Sequence, residues 1–352
     1  MENAKKIIAI ESSCDDSAVS IFDSDLGVLS NVIISQDEFH SKFSGIVPEI
    51  ASRSHLENLQ NAIVDSLKIS EINWKLIDAV SVCSGPGLVG SLIVGITYAK
   101  SIASILKKPI IEINHLEGHI LSPQIEKKIS YPYLVLLISG GHSQFVLVKN
   151  FGNYQILGKT LDDALGECFD KVAKMLKLPF PGGPEIEKNA KLGDRFRFVL
   201  SKPLFNRDDC NMSFSGLKTN ISILINQTSC VDQKFVKDLS ASFQHTVTEI
   251  LCKKTQNAIK IFENYVKKYN IELKEKNLVI AGGVACNSYI KNELSSFVKN
   301  YGYCLIVPSK VLCRDNAAMI AFAGMERLKL RKFSDIFFEP KPRWNLEEVN
   351  IS

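Results

Sequence analysis

The sequence lacks several features that mark particular classes of protein. Its nine cysteines include no Cys-x-x-Cys pair, and an odd number cannot all pair in disulfides. Free thiols are typical of a reducing compartment. No apolar run approaches ~18 residues, so no membrane-spanning helix is expected. The early run Ile7-Ile8-Ala9-Ile10 is too short for the apolar part of a signal peptide. These absences predict a cytoplasmic protein that does not associate with a membrane.

The sequence also lacks a large excess of charge of one sign, since it contains 42 Lys and Arg and 38 Asp and Glu. The net charge of +4 does not by itself identify a nucleic-acid binder. The 352 residues, 45% apolar and 23% charged, are typical of a globular chain with a large core. At ~150 residues per domain, two domains are expected.

Short β-rich apolar runs alternate with longer segments of helical periodicity. The predicted strands are 6–10, 17–22, 29–34, 78–83, 110–113, 133–138, 143–148, 277–281 and 304–307. The predicted helices are 49–68, 88–105, 161–177, 184–192, 234–268, 287–299 and 315–329. This alternation predicts a mainly parallel sheet covered by helices.

Two segments resemble one another. Ile7 to Phe22 and Tyr133 to Val148 each read strand, small polar turn, strand, and each spans 16 residues. Two such hairpins can arise by chance in an α/β protein. The alternative is a duplicated domain whose hairpin turns, containing Ser12-Ser13 and Ser139-Gly140-Gly141, hold phosphates through backbone N–H groups.

Two further Gly-rich turns join a strand to a helix. They are Ser84-Gly85-Pro86-Gly87 and Ala281-Gly282-Gly283-Val284. Neither matches the P-loop or the dinucleotide-binding fingerprint. Such turns present backbone donors to an anion, or they only make room for tight packing. Four turns of this kind favour a nucleotide site.

The most informative short stretch is Asn114-His115-Leu116-Glu117-Gly118-His119. On a helix, His115 and His119 lie within ~40° of one another and could share a metal ion. In the zinc-protease motif His-Glu-x-x-His the Glu follows the first His directly, whereas Glu117 is ~200° round the helix. A metalloprotease is therefore disfavoured, although the pair could also simply pack or cap. Asp315, before the last helix, is a candidate third ligand or a helix cap, and His142 is a further polar candidate.

Taken together, these stretches closely resemble the tRNA N6-adenosine threonylcarbamoyltransferase (TsaD) family, in its bacterial form. The resemblance runs from residue 8 to about 324 and is carried by the following motifs: Glu11-Ser12-Ser13-Cys14-Asp15-Asp16, Gly85-Pro86-Gly87-Leu88-Val89-Gly90, His115-Leu116-Glu117-Gly118-His119, Ser139-Gly140-Gly141-His142, Phe169-Asp170-Lys171, Pro181-Gly182-Gly183-Pro184, Phe214-Ser215-Gly216-Leu217-Lys218-Thr219, Ala281-Gly282-Gly283-Val284 and Asp315-Asn316.

The resemblance implies a duplicated actin-like ATPase fold, with two mixed sheets flanked by helices around a central cleft. The first subdomain would comprise residues 1–125 and a C-terminal helix region at about 315–345. The second would comprise residues 126–314, with a helical insertion at about 160–270.

The resemblance also assigns site residues. It makes His115, His119 and Asp315 the ligands of one divalent metal, with Fe²⁺ favoured and Zn²⁺ possible. It gives substrate contact to Leu137, Ile138, Ser139, Gly140, Gly141, Asp170, Gly183, Glu187 and Asn287. Archaeal and eukaryotic members usually have a metal-binding Tyr at the position of Leu137, so more of the metal is expected to face water or substrate here. Asn211 stands where many relatives have Asp, which puts in doubt any role for an acid there.

The implied reaction transfers threonylcarbamoyl from threonylcarbamoyl-AMP to N6 of adenosine 37 in tRNAs reading ANN codons, which makes the protein an acyltransferase. AMP is a good leaving group, so positioning and charge stabilisation matter more than a protein nucleophile. Asp170 is a candidate for orienting the ribose or the amine, or else a surface acid paired with Lys171 or Lys174.

Partners implied by the resemblance are an inactive paralogous (TsaB-like) subunit and a P-loop (TsaE-like) ATPase. Candidate phosphate contacts for the tRNA are the Lys171, Lys174 and Lys177 series, Lys253-Lys254, Lys267-Lys268 and residues 329–332, although solvated helix faces look the same. The alternative function is a small-molecule kinase or a nucleotide-binding scaffold of the same fold. A kinase would need no helical histidine pair.

Overall fold

The computed structural model describes residues 5–41, 43 and 45–349. The chain divides into two compact units, which are described separately. Unit 1 comprises Met1–Lys128 together with Arg314–Ser352, and unit 2 comprises Ile129–Cys313. Unit 1 is therefore discontinuous in the sequence.

The strands of unit 1 are β1 (Lys6–Glu11), β2 (Ser17–Asp23), β3 (Gly27–Ile34), β4 (Ala79–Gly85) and β5 (Ile110–Asn114). Its helices are α1 (Asp37–Ser41), α2 (Pro48–Ser70), α3 (Val89–Leu106), α4 (His115–Leu121) and, from the C-terminal segment, α11 (Ala317–Lys329). Short 3₁₀ turns lie at Trp74–Leu76, Ser122–Ile125 and Leu346–Glu348.

The sheet of unit 1 has the order β3-β2-β1-β4-β5. β1 pairs antiparallel with β2 and parallel with β4, and β4 is parallel to β5. Helices α3 and α11 pack against β1, so its residues from Ile7 onward are buried and read as a continuous apolar run. The carboxyl ends of β1, β4 and β5 meet at one edge, where Glu11 and Asn114 lie.

The strands of unit 2 are β6 (Tyr133–Ile138), β7 (Ser143–Asn150), β8 (Asn153–Lys159), β9 (Asn277–Ala281) and β10 (Cys304–Ile306). Its helices are α5 (Leu165–Met175), α6 (Gly182–Ala190), α7 (Ser215–Gln227), α8 (Gln233–Lys268), α9 (Ser288–Lys299) and α10 (Lys310–Cys313), with a 3₁₀ turn at Gly283–Cys286.

The sheet of unit 2 repeats the plan of unit 1, with the order β10-β9-β6-β7-β8. β6 pairs antiparallel with β7 and parallel with β9, as β1 does with β2 and β4. The two hairpins found in the sequence have the same register, since Ile7 pairs with Phe22 and Tyr133 with Val148. Both sheets are mixed, and the simpler expectation of a mainly parallel sheet was wrong because each hairpin adds antiparallel pairs.

Several elements differ from the sequence-based prediction. β8 was missed because its buried residues alternate with exposed Asn, Gln and Lys, and α7 because its Ser, Thr, Asn and Ile favour helix only weakly. The short helices α1 and α10 were also missed. The helix predicted from 161 begins at Leu165, since Asp162 accepts hydrogen bonds from the Phe214 and Ser215 N–H groups. The helix predicted from 315 begins at Ala317.

One helix among the described residues, α3, is long and apolar enough to cross a membrane by length and composition alone. The expectation that no apolar run approaches this length was therefore too strict. A third of α3 is buried, and it packs on β4 and α2. A single helix of this kind is weak evidence, because core helices pass the same test.

Candidate metal centre and substrate surface

The histidine pair lies on α4, which follows directly after β5. The Asn114 side chain caps the helix by accepting hydrogen bonds from the N–H groups of Leu116 (2.9 Å) and Glu117 (3.3 Å). All seven residues of α4 are buried, so its position is fixed by packing on every side. The two imidazole rings meet edge to face, with their centroids 4.7 Å apart.

Asp315 lies two residues before α11 and meets both histidines. Its Oδ1 is 3.1 Å from Nε2 of His119 and 3.5 Å from Nε2 of His115. Asn316, and not Asp315, is the N-cap of α11, since its Oδ1 accepts from the Met319 N–H at 3.0 Å. Asp315 is therefore free of the capping role that the sequence left open. The His115, His119 and Asp315 ligand atoms all lie within 4.8 Å of one another.

Glu11 is a component of this centre that the sequence analysis did not single out. Its Oε2 lies 3.1 Å from Nδ1 of His115, and Oγ of Ser13 lies 3.0 Å from the same nitrogen. With Nδ1 engaged, Nε2 is the His115 nitrogen that faces Asp315. Only the strand topology could have indicated this role. Glu11 is the last residue of β1, and His115 follows β5 at the same edge of the sheet.

The electrostatics of the centre are dominated by its carboxylates. Burial lowers the pKa of His115, but Asp315 and Glu11 outweigh it and raise this pKa to about 9. Burial raises the pKa of Asp315, yet the charge of His115 and a hydrogen bond from His119 bring it well below its usual range. The Glu11 pKa is likewise lowered by His115 against the effect of burial. The centre is thus built to hold positive charge between carboxylates.

The donor set fits a single metal ion. Two imidazoles and one carboxylate form the set found in mononuclear iron sites, and a similar set occurs in catalytic zinc sites. A second group, Glu11, Cys83 and His115, has the same spacing. Burial raises the pKa of the Cys83 thiol well above its usual value, which makes this thiol a poor ligand. The set of His115, His119 and Asp315 is therefore the better one.

Glu117 does not take part in this centre. Its carboxylate pairs with Arg327 at 2.7 Å, and both side chains are buried. A metalloprotease needs a carboxylate beside the metal-bound water. The sequence-based argument against a protease thus agrees with where the side chain lies.

In unit 2, the turn between β6 and β7 closes on itself. The Ser139 N–H donates to the His142 carbonyl at 2.8 Å, and the His142 N–H donates to Oγ of Ser139 at 3.1 Å. Space for an added Cβ is open at both Gly140 and Gly141. Leu137 and Ile138 are fully buried strand residues, so only their backbone is available for the predicted substrate contact.

Asp170 orients the neighbouring turn. Its Oδ1 accepts a 2.7 Å hydrogen bond from the Gly182 N–H, at the start of α6. The Lys171 partner considered for Asp170 instead pairs with Asp163 and Glu167, each at 2.7 Å. Gly183, next in the turn, has open space around it.

Glu187 and Asn287 meet next to a small pocket. Oε1 of Glu187 accepts hydrogen bonds from the N–H (3.2 Å) and the hydroxyl of Ser288, and Asn287 Nδ2 donates to Oε1 of Gln244 at 2.8 Å. The pocket holds about 220 Å³. It is lined by Glu187, Ala190, Lys191, Gly193, Arg195, Ala241, Gln244, Ser288, Tyr289 and Asn292. Of the predicted substrate residues, Glu187 therefore lines the pocket, Asn287 precedes the pocket residue Ser288, and Gly183 lies one turn before Glu187 on α6.

The glycine turns differ between the two units. A Cβ at Gly85 would collide with the backbone of Lys341, and one at Gly87 with Ser13. These glycines of unit 1 make room for packing, so counting them toward a nucleotide site was wrong. Gly140, Gly141, Gly183 and Gly283 of unit 2 meet nothing within 4 Å.

Lys254, a candidate phosphate contact, and Asn211, where many relatives have Asp, both have structural roles. Lys254 is fully buried, and its Nζ donates to the carbonyls of Arg207 (3.0 Å) and Asp209 (3.1 Å), so it is not available to RNA. Asn211 Oδ1 accepts from the Lys159 N–H at 3.1 Å and anchors the end of β8.

Asp238 makes an acid-sensitive contact with Asp194, which stands between two residues that line the pocket. Asp238 accepts from the Asp194 N–H (2.7 Å) and pairs with Arg197 (2.7 Å) and Lys234 (3.1 Å). Burial raises the Asp238 pKa, but these partners lower it from 3.8 to about 2. The carboxylate therefore stabilises the fold above about pH 4, and this contribution of roughly 2 kcal/mol is lost as the pH falls toward 2.

We expect Asp238→Asn to lower the free energy of unfolding at pH 6 and to flatten its fall between pH 4 and pH 3 in urea titrations. Asp208→Asn, at an exposed acid of the same unit, is the control. An acid dependence that is identical in Asp238→Asn and the unmodified protein would refute this account.

Comparison with known proteins decides the family. The profile described as "TsaD: tRNA N6-adenosine threonylcarbamoyltransferase" matches residues 27–322. The chain belongs to the TsaD family. Its relatives include the tRNA N6-adenosine threonylcarbamoyltransferases of Rickettsia bellii (strain OSU 85-389) and Rickettsia rickettsii (strain Sheila Smith). Each is 53% identical over 345 residues, covering 98% of this chain and 100% or 99% of the relative.

Solved structures support the fold. HypF from T. kodakarensis matches 93% of this chain with a TM-score of 0.61 at 14% identity. Full-length HypF in a phosphate- and nucleotide-bound form matches 94% with a TM-score of 0.58, also at 14% identity. This chain spans about half of either HypF chain, 48% and 47%. With the two mixed sheets, these likenesses confirm the predicted actin-like fold.

TsaD membership confirms the predicted activity class. The protein is an acyltransferase that modifies N6 of adenosine in tRNA, and tRNA is its substrate. The kinase and scaffold alternatives are not supported by any of these relatives.

Proposed function

We propose that the protein transfers threonylcarbamoyl from threonylcarbamoyl-AMP to N6 of adenosine 37 in tRNAs reading ANN codons. The adenosine N6 forms a bond to the carbamoyl carbon, the bond from that carbon to the AMP phosphate oxygen breaks, and N6 loses one proton. The observation that carries the proposal is the set of two buried histidines, His115 and His119, with half-buried Asp315 in a TsaD-family chain.

We assign these three residues as the ligands of one divalent metal; the donor set suits Fe²⁺ or Zn²⁺, and the family resemblance favours Fe²⁺. Such an ion, when bound, supplies Lewis-acid stabilisation of charge on a donor-substrate oxygen. Glu11 holds His115 through Nδ1, as the carboxylate partner of a metal-bound histidine does.

The chain's own groups favour direct transfer. Ser13, His115 and Asp315 are aligned by contacts of 3.0 and 3.5 Å, in the manner of a nucleophile, base and acid. However, Nε2 of His115 is assigned to the metal ion and Nδ1 to Glu11, which leaves no free ring nitrogen to accept the Ser13 proton. Ser13 is also buried. An acyl-serine intermediate is therefore disfavoured.

The substrate surface proposed for unit 2 consists of Ser139, Gly140, Gly141, Gly183, Glu187 and Asn287, with backbone contributions from Leu137 and Ile138. Open glycine turns let a backbone approach phosphate or carbamoyl oxygens closely. The pocket of about 220 Å³ is below the usual ~300–1,000 Å³ of ligand sites, so it suits one end of a nucleotide. Asp170 is assigned to orienting the ribose or the amine, through its hold on Gly182.

We propose further that each unit is one actin-like subdomain and that the protein acts in the cytoplasm. Nine cysteines without a disulfide suit a reducing compartment. We also propose an inactive TsaB-like subunit and a TsaE-like ATPase as partners. Exposed apolar side chains on α2 (Leu56, Val64) and on α3 (Val89, Ile93) support a protein partner on unit 1.

The test is reconstitution with the partners, an ANN-reading tRNA and prepared threonylcarbamoyl-AMP, followed by nucleoside mass spectrometry. Threonylcarbamoyl-adenosine is expected, and Glu187→Ala should raise the KM for the donor by about 10-fold through loss of a charge-assisted contact. Glu185→Ala, on the same helix but outside the pocket, is the control. No modified nucleoside from the intact system, or nucleotide turnover without tRNA, would contradict the transferase.

A further inference from the structure

The Glu117–Arg327 pair lies behind the metal centre and has no part in the reaction described above. Nη2 of Arg327 is 2.7 Å from Oε2 of Glu117, and the two side chains are 9% and 0% exposed. Removing both charges from water is costly, and buried pairs of this kind often stabilise a fold no better than apolar residues of similar volume. Stability alone therefore gives no reason for charge at this position.

The pair is placed where it can set the orientation of the metal-binding helix. Glu117 is two residues from each histidine, so it lies ~200° round α4 from them. On one side α4 meets Asp315, just before α11, and on the other it meets Arg327, in the last turn of α11. These two attachments are 12 residues apart in the sequence, so they lie near opposite ends of α11.

The contact between α4 and α11 near the histidines is close and apolar. A Cβ at Gly118 would come within 2.9 Å of Met319 Cγ and 3.1 Å of Ile320 Cδ1, so α4 lies directly against the first turn of α11. Apolar contact at a glycine resists separation of the helices but does little to prevent α4 from rotating about its own axis. The ion pair of Glu117, which lies ~200° round α4 from the histidines, does resist rotation, because rotation would pull two buried opposite charges apart.

We propose that Glu117 and Arg327 are positioning residues which fix the rotation of α4 against α11 and so hold His115 and His119 in register with Asp315. The inference rests on the metal centre assigned under the proposed function. It predicts that the pair controls metal affinity and ligand geometry without touching metal or substrate.

The experiment uses the full-length protein, freed of metal and titrated with Co²⁺, with visible absorption reporting coordination geometry and Zn²⁺ competition giving Kd. Glu117→Gln and Arg327→Met are each expected to weaken binding by about 10-fold or more and to alter the Co²⁺ spectrum. The double variant should be no weaker than the weaker single variant, because the two residues act as one unit.

The matched control is Asp23→Asn, which breaks another ion pair of unit 1, between half-buried Lys6 and buried Asp23 at 2.9 Å. It should lower the unfolding temperature and leave Kd and the Co²⁺ spectrum unchanged. If Glu117→Gln does not fold, the double variant still tests the inference, since it leaves no unpaired buried charge.

Lower stability with an unchanged Kd and spectrum in the Glu117 and Arg327 variants would overturn the inference and leave a purely structural pair. The His115→Ala variant distinguishes a wrong positioning role from a wrong assignment of the metal ligands. If the unmodified protein and His115→Ala bind Co²⁺ equally, the assigned ligands are wrong, and the positioning role is overturned with them.

Discussion

Asp315→Asn is expected to reduce affinity for a divalent metal ion by more than about 100-fold and to abolish detectable threonylcarbamoyl transfer. Loss of a supporting contact alone typically costs 10- to 100-fold in metal affinity, and Asp315 is assigned as a ligand itself. It is the one carboxylate that faces Nε2 of both histidines, at 3.1 and 3.5 Å. A neutral amide in its place leaves two imidazoles and removes the negative charge that balances the ion.

The measurements are Zn²⁺ competition for Kd and nucleoside mass spectrometry for transfer. Asp25→Asn, at an exposed acid of unit 1, is the control and should match the unmodified protein in both. Metal affinity within threefold of normal in Asp315→Asn would remove this residue from the ligand set. Normal affinity with lost transfer would instead place Asp315 in contact with substrate.

Gly282→Ala should strongly destabilise unit 2. Gly282 has a φ of +89°, a conformation that alanine adopts only with strain. Its added Cβ would also lie 2.8 Å from the Ile138 carbonyl carbon and 3.2 Å from Ser139 Cβ. Strain and overpacking together should cost about 3 kcal/mol of unfolding free energy. Relief by movement would displace the Ser139 turn and raise the KM for threonylcarbamoyl-AMP.

Gly283→Ala is the natural control, because the neighbouring glycine has no positive φ and nothing within 4 Å of an added Cβ. It should change the free energy of unfolding by less than about 0.5 kcal/mol. Urea unfolding and donor KM should be compared for the two variants. Equal effects at the two positions would show that the close approach to Ile138 is unimportant.

The hairpins and the histidine pair could be predicted from the sequence because both are local patterns. The 16-residue hairpin repeat depends on alternating strand and turn residues, and the four-residue spacing of His115 and His119 depends only on helix geometry. Asp315 was reached through the family resemblance and not through spacing, since 196 residues separate it from His119.

What could not be predicted is tertiary in origin. Glu11 meets His115 only because β1 and β5 end at the same edge of one sheet, a fact that requires the strand order. The burial of Lys254 likewise depends on the loop at Arg207, far from it in the sequence. The glycines at 85 and 87 follow the pattern of an anion-binding turn, yet the backbones of Lys341 and Ser13 occupy that space.

The discontinuity of unit 1 has a consequence for biosynthesis. His115 and His119 leave the ribosome before the 185 residues of unit 2, from Ile129 to Cys313, and Asp315 and Arg327 follow only after them. At ~5–20 residues per second, the interval is on the order of ten to forty seconds. Until then the nascent histidines lack Asp315, and binding of the proposed metal ion by all three assigned ligands must wait until unit 2 has been made. Loading of the proposed metal ion is then coupled to synthesis of unit 2, so products truncated before Asp315 would not hold the ion.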